Sequence, residues 1–492
     1  MLQKSAIGLP LAVAVGYFLA AELGLAFLTA PERVAVFWPA SGIAAGTLIA
    51  LGFGAWRPVA AGVIAASLAA SLTGDRSLWG ALAFGLCNAG EVVLVTWLIE
   101  RWFGHAFNMD SLPRVLGFVV AATVATATAA VGAAWAMGLF GPSTAPFLSV
   151  WHVWFASDLL GILTTAPLVI GLASVVREPP PRRELFEGVA ALVAVAAMTG
   201  IFVSLPPAPW KLPVAMLFPL LLWLAARCRP VFASAGVFII SLAIVWTITV
   251  GFGHFGDPDV PIGDHILGAQ AVILGVALCA IVLAALFAER RKHAAALMML
   301  IAELDHRVKN VLARVAAVAM STRRGSRSMN EFLRTLDGRI QSMAAAHSLL
   351  SQSRWHGVGI TDLVHHQLAP YTTAANTTIS GPDVMLTAAA TQAVAMVLHE
   401  LVTNAAKYGA LSTPSGRVSV NWGLLPSSGG GAASLTIAWR EIGGPPVATP
   451  IQSGYGTSLI RELIAHELGG TVDLVFACDG ACCKIDIPLD QE

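Results

Sequence analysis

Ten apolar stretches in the first 288 residues constrain this chain more than any other feature. They lie near 6–29, 34–54, 58–73, 79–99, 115–140, 148–174, 188–205, 212–226, 231–252 and 266–288. Most approach the roughly 20 residues that carry an α-helix across a bilayer; those at 58–73 and 212–226 are short. Charge is sparse here: residues 1–288 hold 25 charged side chains, and the shorter remainder holds 33. Hydrocarbon offers no partner for backbone polar groups, so such a segment must fold as helices. The expectation is a polytopic α-helical membrane domain followed by a soluble part. Lys4 precedes the first run as in a signal peptide, but the run is long and more follow, so it reads as an uncleaved helix.

Ten spans starting inside would put twelve Lys and Arg residues, from Lys4 to Lys292, in inner loops. Only Arg33, Arg76 and Lys211 would lie outside, with the acidic turn of Asp257, Asp259 and Asp264. That asymmetry places both termini in the cytoplasm, and eight spans would do the same. Formal net charge is zero with no basic tract, which argues against nucleic acid as a partner. The six cysteines lack CxxC spacing and read as buried, reduced thiols.

A few ionisable residues fall within the apolar runs: Glu22, Glu91 with Asn88 one turn before it, His152 and Asp158. Intramembrane charge is costly. These residues read either as a ligand- or proton-responsive pocket or as polar glue between helices. Phe37-Trp38-Pro39-Ala40-Ser41-Gly42-Ile43-Ala44 and the stretch from Trp151 to Pro167 resemble the MASE1 family of bacterial integral-membrane sensory domains. The resemblance covers about the first 290 residues.

The last run ends at Glu289-Arg290-Arg291-Lys292, and helix-favouring sequence continues with no linker. Leu304, Val308, Val311, Val315 and Val318 then recur in steps of three and four, the spacing of one packed seam. His306 is roughly 200° round the helix from Leu304, so it should face solvent. Glu303, Lys309 and Asn310 share its face and could orient an imidazole or attract an anion. By itself this octapeptide reads as a surface histidine on a charged helix. Arg323-Arg324-Gly325-Ser326 reads as a break near Thr322, and a second helix is expected from about Ser328 to Ser353. Its seam is Phe332, Leu336, Ile340, Met343, His347 and Leu350, with His347 read as a packed or interhelical hydrogen-bonding residue, not a second phosphoacceptor. A hairpin cannot bury two seams alone, which predicts a homodimeric four-helix bundle.

The stretch from His399 to Gly409 sets Glu400 and Asn404, and Thr403 and Lys407, four residues apart on one helix. Amide and carboxylate oxygens suit Mg²⁺, and a lysine suits phosphate. Strands are expected at 417–422 and 434–439, separated by a flexible loop at 427–431. Trp439-Arg440-Glu441-Ile442-Gly443-Gly444 follows, where a strand-end carboxylate can accept from an exocyclic amine and glycine lets the backbone approach a base. Gly454-Tyr455-Gly456-Thr457 opens a helix over 458–468 whose free amides suit phosphate. A hairpin of strands 471–477 and 482–488 turns at Asp479-Gly480.

In that order, these motifs resemble the HWE family of histidine kinases, with the ATP site of the GHKL superfamily. The matching residues are His399, Trp439 and Glu441, His306 to Asn310, Gly338-Arg339, Ala346-His347 and the 399–409 stretch. The resemblance covers roughly 300–490. It implies an α/β sandwich that binds ATP and Mg²⁺, behind a dimerising two-helix hairpin. Three domains are expected: 1–290, a MASE1-like sensor; 291–355, the phosphotransfer hairpin; 356–492, the ATP-binding domain. By resemblance His306 is the phosphoacceptor, Asn404 the Mg²⁺ ligand with Glu400 beside it, and Glu441 the adenine-recognition residue. Gly443, Gly454 and Gly456 fill glycine positions, while His399 and Trp439 are markers without an assigned role. Tyr455 stands where phenylalanine is commoner, and Pro445-Pro446 is stiff beside the expected lid.

The implied protein is a homodimeric sensor kinase of the bacterial inner membrane with its kinase region cytoplasmic. Phosphate is expected to pass from His306 to an aspartate of a separate response regulator, since no receiver-like stretch is seen in these 492 residues. Two alternatives stay open at this point: a transporter with a regulatory nucleotide-binding tail, and a GHKL ATPase in which water takes the phosphate.

Overall fold

The computed structural model describes residues 8–29, 34–72, 77–140, 146–204, 217–251, 260–353, 355–371, 373, 376–425, 433–446, 455–477 and 480–489. The chain forms two units, Met1–Leu300 and Ile301–Glu492.

The first unit is helical. In order come α1 (Gly8–Ala26), the short strands β1 (Leu28–Thr29) and β2 (Val34–Ala35), α2 (Pro39–Leu51), α3 (Trp56–Leu72), α4 (Leu78–Phe103), α5 (Leu112–Phe140), α6 (Phe147–Arg177), α7 (Arg182–Ser204), α8 (Phe218–Arg227), α9 (Pro230–Val250) and α10 (Ile262–Gly325). Among the described residues eight helices are long and apolar enough to cross a membrane. Two of the ten expected runs give shorter apolar helices among the described residues. The run at 34–54 folds as β2 and a 13-residue α2, which Pro39 opens and Gly52, at φ +86°, closes. At 1.5 Å per residue α2 spans only about 20 Å, short of the ~30 Å hydrocarbon core. Of the run at 212–226, residues 212–216 lie outside the described residues and most of the rest falls in the ten-residue α8. The run at 58–73, short by sequence, reaches 19 residues because a 3₁₀ turn at Phe53–Ala55 precedes it.

Short as it is, α2 is almost wholly buried, and it packs closely on α6. Glycine makes this possible: a Cβ on Gly42 would overlap the Gly161 carbonyl, and one on Gly161 would overlap that of Trp38. The Trp38 amide donates to the Ser157 carbonyl at 3.0 Å, and Ser157 Oγ donates to the Ala35 carbonyl at 2.9 Å. Two motifs more than 100 residues apart thus form one junction.

Where α10 leaves this unit, Arg291 caps α8, donating to the carbonyls of Ala225, Ala226 and Cys228 at 3.2, 2.6 and 2.9 Å. Glu289 accepts the Leu112 amide at the start of α5, at 3.3 Å. Beyond Arg291, α10 runs on unbroken to Gly325.

In the second unit α11 (Met329–Gln352) opens on Ser328, whose side chain accepts the Glu331 amide, while Glu331 accepts the Arg327 amide in return. Next come β3 (Val358–Gly359), α12 (Ile360–Leu368), β4 (Thr377–Ser380), β5 (Met385–Leu386), α13 (Ala388–Lys407), β6 (Arg417–Leu425), β7 (Ser434–Ile442), α14 (Tyr455–Glu462), β8 (Thr471–Ala477) and β9 (Gly480–Pro488). A π-helical turn, Leu463–Glu467, extends α14. The five-stranded sheet runs β4-β6-β7-β9-β8, with β4 parallel to β6 and the other pairs antiparallel. One face is apolar at every second position, Val418, Val420 and Trp422 on β6 and Leu435, Ile437 and Trp439 on β7. That face packs with the buried residues of α12 and α13 in a single core.

The seam expected to wait for a second chain is partly consumed within this one. Leu336 and Met343 of α11 pack with Val318 of α10 and with Met396 and Leu459, and Leu350 joins the sheet core. His347 is exposed, not packed as expected, and meets the Trp355 ring edge-on at 5.1 Å.

Candidate nucleotide and phosphoacceptor sites

Every residue from Lys292 to Asn310 is exposed, and His306 lies within this bare length of α10. Asn310 Nδ2 is 3.5 Å from His306 Nδ1, a long contact that orients more than it binds. Glu303 and Lys309 are otherwise engaged: Arg307 Nε donates to Glu303 at 2.8 Å and Lys309 Nζ to Asp305 at 2.6 Å. Both are exposed i,i+4 ion pairs, worth little to stability. The Arg307 guanidinium also lies over the Trp355 ring, 5.6 Å from its centroid. Trp355 therefore ties the His306–Arg307 turn of α10 to His347 on α11. It does so from a φ of +65°, a left-handed conformation costly for an indole-bearing residue. Sequence reading missed Trp355; an aromatic just past the second helix, flanked by Arg354 and His356, was the available signal.

The second cluster is built on α13. Its sequence reads as an apolar helix until the last two turns, where His399, Glu400, Asn404 and Lys407 follow. Asn404 is half-buried and Lys407 is exposed. Gly456 stands over this pair of turns: a Cβ there would lie 2.9 Å from Glu400 Oε2 and 3.6 Å from Asn404 Nδ2. The glycine is thus a clearance above a carboxylate and an amide. Thr457 follows at the start of α14, while Gly454 lies outside the described residues.

Glu441 is the fourth inward position of β7, after Leu435, Ile437 and Trp439, so its carboxylate enters the core and is 4% exposed. Its two oxygens are held separately. Trp439 Nε1 donates to Oε1 at 3.2 Å and the Ala410 amide to Oε2 at 2.9 Å. Burial nonetheless pushes the Glu441 carboxyl above its usual range, against these two bonds. A Cβ on Gly409 would collide with the same carboxylate, and Gly444 packs against Gly409 and Ala410. Gly443 needs its φ of +78° to turn the chain here. The end of α13 and the Glu441–Gly444 turn are thereby stitched into one wall. Trp439, for which sequence offered no role, positions Glu441.

His399 and Glu400 meet α11 at Gly338 and Arg339. A Cβ on Gly338 would come within 3.0 Å of His399 Nε2, so the glycine admits the imidazole. Arg339 Nε donates to Glu400 Oε1 at 2.7 Å, and its Nη1 donates to Thr322 Oγ1 of α10 at 2.8 Å. The pair is dry, with side chains 3% and 10% exposed. Burial depresses the His399 pKa. Glu400, expected at a metal, is thus first the partner of Arg339, with Oε2 turned toward Gly456 and Asn404. Among the described residues no three His, Cys, Asp or Glu side chains gather as a metal cage. A hard cation here would take one or two protein oxygens and complete its shell with phosphate and water, which is how Mg²⁺ is commonly bound. A cavity of about 980 Å³ lined by Gln352, His365, His366 and Asp383 opens elsewhere in this unit and touches none of these groups.

The MASE1 family model matches residues 9–292 and the HWE histidine kinase model matches 303–383. A blue-light-activated histidine kinase of Rhizobium johnstonii is 32% identical over 189 residues, 38% of this chain and 53% of that protein. One of Brucella ovis is 31% identical over 206 residues, 42% of each. The chain therefore spans about half the length of these relatives. A solved blue-light activated histidine kinase of Erythrobacter litoralis superposes on 39% of this chain and 60% of its own at 18% identity; its TM-score of 0.30 is too low to carry an inference.

Proposed function

The chain belongs to the MASE1 family and carries an HWE histidine kinase region, and from that premise we propose a membrane-bound sensor histidine kinase that phosphorylates itself on His306. The observation that carries the reading is the wall formed by Glu441, the Gly409–Ala410 turn and Gly444, adjoining the Glu400–Asn404 turns beneath Gly456. It offers a buried acceptor for a purine amine at one end and oxygen ligands with backbone clearance for phosphates at the other. ATP fits that sequence of chemistries, as the co-substrate of a GHKL-type α/β sandwich.

Glu441 would accept from the exocyclic amine, since a carboxylate oxygen already holding one donor keeps a second lone pair. Asn404 and the free oxygen of Glu400 would hold Mg²⁺, which supplies charge neutralisation at the phosphates. Lys407 and the opening of α14 at Thr457 add positive potential. His306 is the nucleophile. With the Asn310 amide turned so that its oxygen accepts from Nδ1–H, the lone pair of Nε2 is left free to attack phosphorus. Positioning and charge neutralisation supply the rate. The phosphoryl group then passes to an aspartate of a response regulator.

In this reading 1–290 is the sensor, multi-pass in the bacterial inner membrane, 291–355 the dimerising hairpin and 356–492 the cytoplasmic ATP-binding domain. Leu304, Val308 and Leu312, 55–62% exposed along one stripe of α10, support a second copy as the dimer partner. His306→Gln should retain ATP binding and incorporate no label from γ-labelled ATP in membrane preparations. Undiminished labelling removes His306 from the reaction; unchanged release of free phosphate by the variant makes the chain an ATPase.

A further inference from the structure

Six helices of the first unit turn polar groups into one dry centre that the kinase chemistry leaves unused. Glu91 on α4 is 1% exposed and Asp158 on α6 is 4% exposed. Among the described residues neither forms an ion pair with Lys, Arg or His. The two acids lie within electrostatic reach of one another. Ser41 of α2 donates to Glu91 Oε2 at 2.9 Å, while Glu91 Oε1 is buried without a hydrogen-bond partner.

Thr126 of α5 approaches the Glu91 carboxyl. It is 1% exposed, and its hydroxyl has no hydrogen-bond partner. Its neighbours show how unusual this is. Thr123 and Thr128 on the same helix donate to the carbonyls of Val119 and Val124 at 2.8 Å, the ordinary resting place of a helical threonine. Thr126 forgoes that bond and leaves its hydroxyl for the Glu91 carboxyl.

We propose that Glu91 and Asp158 form a proton-binding site in the MASE1 unit, in which the pair carries at least one proton at neutral pH and releases it reversibly. Two anions buried in one bundle, without a counter-cation among the described residues, are ruled out by solvation: even one buried unpaired carboxylate costs several kcal/mol. The proton therefore resides on a carboxyl oxygen as an O–H, and leaves to solvent with its electron pair kept by the carboxylate. Thr126 suits both states. Its hydroxyl accepts from a protonated Glu91 and, turned about its C–O bond, donates to an ionised one.

The other titratable groups facing the centre are Tyr17 from α1 and Cys87 from α4. From α2, α3 and α5 the polar groups are Ser41, Ser67 and Thr126, none of them ionisable. Tyr17 accepts from Trp38 Nε1 at 3.4 Å, which links the centre to the junction of α2 and α6. The site belongs to the first unit alone and stands whether or not His306 takes phosphate.

The test is infrared pH-difference spectroscopy of the full chain in lipid nanodiscs. Wild type should show a protonated-carboxyl carbonyl band at neutral pH that titrates away in alkali and is indifferent to exchanging Na⁺ for choline. The Glu91→Gln/Asp158→Asn pair should lose it. Any band from buried Glu441 in the second unit is common to both and cancels. A band unchanged in the double variant overturns the proposal, as does loss of the band on adding Na⁺ at fixed pH, which would make this a metal-cation site. Should the double variant not fold, Thr126→Val decides. It conserves volume and should keep the band but shift its frequency, and an unmoved band overturns the site.

Discussion

Arg339 joins two helices of the second unit through one buried side chain. Its Nε and Nη1 reach two acceptors on different helices, Glu400 on α13 and Thr322 on α10, from a side chain 3% exposed. A lysine ammonium has no planar fork to span both. Arg339→Ala leaves Glu400 a buried carboxylate without its cation and should cost about 3–5 kcal/mol, read as a lowered unfolding midpoint of the kinase region in denaturant. Arg339→Lys should recover only part of it, and full recovery would mean that charge alone matters. Sequence reading found Glu400 and Asn404 because four-residue spacing announces a shared helix face. It could not find that His399–Glu400 dovetails with Gly338–Arg339, since 61 residues separate the pairs and no periodicity links them. Trp439 was opaque for a similar reason: its indole N–H serves Glu441 two positions along the same strand, where alternation brings both inward.

Among the elements, α10 is the one whose continuity matters most. It runs 64 residues from Ile262 to Gly325. Glu289 and Arg291 fasten its exit to the ends of α5 and α8, so any shift of those helices acts directly on it. No glycine or proline interrupts the length from Arg291 to His306, and a stiff helix conserves rotational phase. Inserting one residue within Ala294–Ala296 rotates everything downstream by about 100°, whereas seven residues return it to within about 20°. The one-residue insertion should change label incorporation at His306 several-fold, and the seven-residue insertion should restore it. Equal behaviour of the two would mean that rotation is not transmitted. The hairpin's boundaries were legible because Gly325 and the Ser328 cap are local signals. The partner of its seam was not, because apolar spacing says that a face is covered and never by what: here α13 covers much of it. The same limit explains α2, an apolar run that reads as a span until Pro39 and Gly52 cut it to 13 residues.

For the molecule as a whole, the question is what remains uncovered once each unit has packed itself. The second unit buries Val318 and Leu350 and packs the half-buried Leu336 and Met343 within the chain. It leaves Ile301, Leu304, Val308 and Leu312 between 50% and 62% exposed, continuing from Leu297 at 58%. Steps of four, three, four and four keep these residues on one stripe of α10, the geometry of a two-chain seam. Burying each such side chain is worth about 1.5–3 kcal/mol, so the stripe from two copies can offset the several kcal/mol that association costs. A dimer built on the upper half of α10 therefore needs no rearrangement of the packing around α11, whereas a full four-helix bundle would have to release Leu336 and Met343 from their present neighbours. Single cysteines in a cysteine-free background separate the two arrangements. Leu304→Cys and Val308→Cys should form intermolecular disulfides rapidly on mild oxidation in membranes, while Val318→Cys and Met343→Cys should not. Efficient pairing at all four positions would mean that the hairpin opens to form the full bundle, and pairing at none would remove the dimer.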